Sequence, residues 1–64
     1  MQTGTRIEVV KNPYAPMIDV PIGARGVVTR GGKALISLKL DNGQRFKCWL
    51  LVDGDGDRTL KIAS

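Results

Sequence analysis

The chain has 64 residues, a single cysteine (Cys48), no histidine and a formal charge of +4. One cysteine excludes an internal disulfide, and the lack of histidine excludes His-ligated zinc and His-dependent catalytic triads. At this length a single domain is expected, with a core so small that an economical closed architecture or self-association would help to support it.

No apolar run approaches the ~18–20 residues of a membrane-spanning helix, and the longest is Cys48–Val52. No membrane partner is therefore expected. Met1-Gln2-Thr3-Gly4 lacks the charged and apolar segments of a signal peptide. Together with an unpaired thiol this leads to the expectation of a reducing, cytoplasmic setting.

In chain order, residues 5–10 alternate. Ile7 and Val9 share one face, Arg6 and Glu8 the other, which predicts a first strand. Residues 11–22 hold Pro13, Pro16 and Pro21. Prolines at this density break a helix and forbid a central strand, so this is read as a long loop of functional interest. Residues 24–30 form a second predicted strand, and Gly31-Gly32 closes it with a tight turn.

Residues 34–40 give the third strand, with Ile36, Leu38 and Leu40 facing one way and Leu35, Ser37 and Lys39 the other. Asp41-Asn42-Gly43 is the strongest hairpin signal, because Asn and Gly tolerate the backbone angles of a tight hairpin. Residues 44–50 form the fourth strand. Parity puts Phe46, Cys48 and Leu50 inward and Arg45, Lys47 and Trp49 outward. Residues 51–57 turn, with a 3₁₀ turn as one way to do so, and residues 58–62 close the chain as a short strand with Leu60 and Ile62 inward. The expected core is Ile7, Val9, Val27, Ile36, Leu38, Leu40, Phe46, Cys48, Leu50, Leu60 and Ile62. A long loop after strand 1 and tight hairpins between strands 2, 3 and 4 suggest a small five-stranded barrel, which removes sheet edges and is filled by few side chains.

Three segments carry a resemblance. Gly4-Thr5-Arg6-Ile7-Glu8-Val9-Val10 resembles the G-x-R-V-x-V/L-V opening of many SH3-like barrels. Val20-Pro21-Ile22-Gly23-Ala24-Arg25-Gly26-Val27-Val28-Thr29 resembles their P-x-G-x-x-G-x-V step, and Leu38-Lys39-Leu40-Asp41-Asn42-Gly43 the V-x-F/W-D-N-G hairpin that follows. The set is most similar to a small family of bacterial and phage proteins of unknown function. There an Asp-x-Pro-Tyr segment is common, and Asn12-Pro13-Tyr14 stands in its place here. The resemblance covers about residues 4–52; it implies an all-β, SH3-like barrel, with residues 1–64 expected as the single domain, and brings no activity with it.

Peptide-binding SH3 domains use several groove aromatics. This chain has one Tyr, one Trp and one Phe, and Asp19 is the lone acid of the long loop. That argues against recognition of Pro-rich ligands. Asp53-Gly54-Asp55-Gly56-Asp57 invites a calcium reading, but Arg58 and Ser64 occupy the positions where an EF-hand loop needs Gly and Glu. No metal, no cofactor and no catalytic residue is expected.

Residues 1–52 hold eight Lys and Arg against three acids, so the positive charge is concentrated there. Trp49, Arg45, Lys47, Lys39, Arg25 and Arg30 form the candidate nucleic-acid site, an aromatic platform flanked by cations that would stack a base and neutralise phosphate. Weighed against this, and favoured for these residues taken singly, is a Trp49 that covers the barrel end or packs under the proline loop against Tyr14, with the cations on a solvated sheet face. The leading expectation is a non-enzymatic, nucleic-acid-associated or regulatory module. The alternative is a protein-interaction or self-assembling module using Tyr14, Met17 and Ile18 of the 12–20 loop.

Overall fold

In the computed structural model, which describes residues 1–63, five strands are joined by turns and loops. They are β1 (Arg6–Val9), β2 (Arg25–Arg30), β3 (Leu35–Leu40), β4 (Arg45–Leu50) and β5 (Leu60–Ile62). No helix of any kind occurs among the described residues, so residues 51–57 turn without a 3₁₀ segment. The strands form one antiparallel sheet in the order β4-β3-β2-β1-β5.

The β3–β4 hairpin follows from its turn residues. Gly43 adopts φ +98°, a region closed to most side chains. The Asn42 Oδ1 accepts the Gln44 N–H at 2.9 Å, and the Gly43 N–H donates to the Leu40 carbonyl at 3.0 Å. This fixes the register in which Lys39 lies opposite Arg45.

No ladder joins β4 to β5 among the described residues. Their neighbourhoods are linked otherwise. The Thr59 N–H donates to the Leu51 carbonyl at 2.7 Å, Val52 bridges Arg58, and the Trp49 Nε1–H donates to Thr59 Oγ1 at 2.8 Å. Thr59 Oγ1 in turn donates to the Leu50 carbonyl at 2.6 Å, so this buried polar pair is satisfied.

The core is Ile7, Val9, Val20, Val28, Ile36, Leu38, Leu40, Trp49, Leu51 and Leu60. It corrects the expected set at five positions. Val28 is buried in place of Val27, which is half-buried. The cause is Gly26, which takes the inward position opposite Ile7 and Leu40. A Cβ there would collide with the Lys39 carbonyl oxygen and lie 2.9 Å from the Leu40 Cα.

On β4 the inward parity changes partway along. Leu38 pairs with Phe46 but Ile36 pairs with Trp49, so β4 advances three residues while β3 advances two. This is a β-bulge at Lys47–Cys48. Beyond it Trp49 turns inward and is 0% exposed, while Cys48 and Leu50 are exposed. Phe46, before the bulge, is half-buried against the core. Ile62 has inward parity opposite Ile7, yet it is 72% exposed. It sits on the edge strand β5 beside an open hollow of about 440 Å³, with no further strand among the described residues to cover it.

Candidate functional site

Residues 10–24 connect β1 to β2 and hold all three prolines. The Asn12 side chain organises this segment: its Oδ1 accepts the Tyr14 N–H at 2.9 Å and its Nδ2 donates to the Ile18 carbonyl at 2.7 Å. Gln44 Nε2 ties the far end down at the Asp19 carbonyl, 3.0 Å away. The tie places Tyr14 on β4, where its hydroxyl donates to the Cys48 carbonyl.

All three aromatic residues of the chain meet there. Tyr14 stacks on Phe46 with centroids 5.8 Å apart, and Trp49 meets both edge-on, at 5.3 Å and 4.9 Å. Offset-stacked and edge-to-face pairs suit the ring quadrupoles, so the cluster anchors the loop to the sheet. Partial burial pushes the Tyr14 phenol above its ordinary value.

Trp49 therefore offers no ring face to a ligand: it lies beneath the loop against Tyr14, as its packed reading expects, and its place in the nucleic-acid site as a surface platform is corrected. The bulge that turned it inward could not be read from strict alternation. Tyr14 is half-buried in the same cluster, which leaves Met17, 91% exposed, and Ile18 as the accessible apolar residues expected on the loop.

The other candidates divide into two groups. Arg25 lies opposite Glu8 and pairs with it, Nε to Oε1 at 3.4 Å. Glu8 also receives Lys61 at 3.1 Å, and that bond, followed by Arg25, holds its carboxyl below the ordinary range. Arg25 is thus committed to a surface ion cluster. Two other cations are engaged as well: Arg6 with Asp41 at 3.3 Å, and Lys11 with Asp57 at 2.6 Å and Asp53 at 3.0 Å. The Lys11 ammonium sits among the acids of the Asp53–Asp57 turn, and its own value is raised by Asp57 and then Asp53.

Arg30, Lys39, Arg45 and Lys47 form the second group. Among the described residues none of them makes a salt bridge. All four line one open groove of about 950 Å³ across β2, β3 and β4, and no carboxylate of the described residues lines it. Lys39 and Arg45 are directly opposed across the β3–β4 ladder. Like charges in that position are unfavourable unless something negative lies between or over them. Three further lining residues were not expected at a site. Leu35 is 51% exposed, Phe46 is half-buried with its ring on the core side, and Cys48 is brought out by the bulge. The outward parity of Leu35 was a usable signal, whereas Cys48 had none.

The groove is a shallow, cationic, partly apolar surface. It brings together four of the six expected nucleic-acid residues and omits Trp49 and Arg25. The chain matches no protein-family model, no curated protein and no solved structure.

Proposed function

We propose that this chain is a small non-enzymatic binding module that holds nucleic acid in the β2–β3–β4 groove. One observation carries the reading. Arg30, Lys39, Arg45 and Lys47 converge on a groove that no carboxylate of the described residues lines, while the acids are largely spent on Arg6, Lys11, Arg25 and Lys61. Cations left unneutralised on one surface create the local potential that attracts a polyanion. The test is binding of a fluorescent oligonucleotide at low salt, wild type against Lys39→Glu/Arg45→Glu. Loss of binding in the double variant, with its fold retained by circular dichroism, supports the assignment; unchanged binding sinks it.

The fold is proposed to be an SH3-like barrel related to the bacterial and phage family of unknown function. The strand order β4-β3-β2-β1-β5 and the contact between the β4 end and Thr59 support a sheet that coils on itself. So does a smallest dimension of 21 Å, about twice the ~10 Å layer that one flat sheet contributes. A cytoplasmic setting, where exposed Cys48 stays a thiol, belongs to the same proposal.

A protein-binding role for the loop has one observation in its favour. Met17 and Ile22 are 91% and 63% exposed on a segment that Asn12 and Tyr14 hold in place. Met17→Asp would abolish capture of a purified partner in a salt-insensitive way, whereas the groove reading predicts no effect on oligonucleotide binding.

A further inference from the structure

Resting on the groove reading, we infer that the preferred ligand is single-stranded nucleic acid, whose bases lie on an apolar floor while the phosphates follow the cations. The arrangement of the lining carries this. At one end Lys39 and Arg45 oppose each other. Midway, Arg30 on β2 lies opposite Ser37 on β3. On the other flank the Ser37 hydroxyl donates to the Lys47 carbonyl at 2.7 Å. Arg30 and Lys47 thus flank Ser37 from strands two interstrand spacings apart, about 9.5 Å. Leu35 lies four residues along β3 from Lys39, about 13 Å away at the rise of a strand. Leu35, half-exposed at the far end of β3, and Cys48, turned outward by the bulge, provide the uncharged surface beside the cations.

A duplex fits this poorly. Its bases are read by a helix or ribbon that projects into a groove of the nucleic acid, and this site is itself concave. Duplex phosphates could touch the cations, but its stacked bases could not reach the floor. A single strand exposes base faces that can lie on apolar or aromatic surface, and it tracks cations with its backbone. Ser37, the polar residue at the centre, already donates its hydroxyl hydrogen to the Lys47 backbone carbonyl, so it has no donor left for a base edge. Binding carried by phosphate and base-face contacts is tolerant of base and of sugar.

The experiment compares four probes by anisotropy or competition at about 50 mM salt. They are a thymidine oligonucleotide, a uridine oligonucleotide, a duplex of equal length and inorganic polyphosphate. The two single strands should bind within about threefold of each other and at least tenfold more tightly than duplex or polyphosphate. Leu35→Ser, a change at a half-exposed position, should weaken single-strand binding at least fivefold and leave polyphosphate binding unchanged. Both single strands should also slow alkylation of Cys48, while duplex should not. If duplex or polyphosphate matches the single strands, or Leu35→Ser has no effect, the single-strand inference falls and the polyanion reading stands. If no probe binds, both fall.

Discussion

Replacing Trp49 by phenylalanine distinguishes a buried tryptophan from a surface platform. The indole is fully buried and its Nε1–H is bonded to Thr59 Oγ1 at 2.8 Å. Phenylalanine loses that bond, a net cost of about 0.5–1.5 kcal/mol, because Thr59 retains its bond to the Leu50 carbonyl. It also leaves a void on the order of 40 Å³, which at ~24 cal/mol per Å³ adds about 1 kcal/mol. The edge-to-face contacts with Tyr14 and Phe46 survive in kind, so the total is about 2 kcal/mol. In a domain this small each kcal/mol moves the melting temperature by about 4–8 °C, which gives a fall of about 8–16 °C. Thermal melting by circular dichroism measures this directly. Oligonucleotide affinity at 20 °C, where the variant stays folded, should remain within twofold of wild type. An unchanged melting temperature together with a tenfold loss of affinity would place Trp49 on the surface and refute the burial and the groove together.

Lys39→Gln removes the like-charge opposition to Arg45, so it should raise the melting temperature by about 1–4 °C at low salt while weakening oligonucleotide binding. Opposite signs in the two measurements are expected, and a lower melting temperature would contradict the cross-strand account. Gly26→Ala drives a Cβ into the Lys39 carbonyl and should cost about 1–3 kcal/mol in a urea melt. The ion clusters set the pH dependence. Glu8 and Asp53 have carboxyls lowered on folding, so their contribution is present above the ordinary carboxylate range and is lost as pH falls through the lowered folded values. Lys11 is raised, so its contribution is present below its ordinary value near 10.5 and is lost as pH climbs through the folded value. Melting temperature should therefore hold from about pH 5 to 10 and decline on both sides. A flat profile from pH 3 to 11 would show that these pairs contribute nothing.

Much of the architecture was written in the alternation of residues 5–10 and 34–40 and in the Asp41-Asn42-Gly43 turn. That turn fixes the register, and the register brings Lys39 and Arg45 together, so half of the groove was legible. The other half was not. A bulge adds one residue to a strand with little compositional mark, and the one at Lys47–Cys48 exchanged the environments of Cys48, Trp49 and Leu50. The pair Val27-Val28 left parity open, and only the crowding at Gly26 decides it. Charge patterning could not separate Arg25 from Arg30, because Glu8 reaches Arg25 across a strand pairing that is remote in sequence. The contact of Tyr14 with β4 is similarly long-range.

The slope of log affinity against log salt for a single-stranded oligonucleotide tests the central claim most directly. Each phosphate neutralised contributes about −0.7, so engagement of Arg30, Lys39, Arg45 and Lys47 predicts a slope of about −2.8. Substituting any one of the four with glutamine should reduce the slope by about 0.7, whereas Arg25→Gln should leave it unchanged. A slope near zero, or one that responds to Arg25 as strongly as to Arg45, would contradict the account.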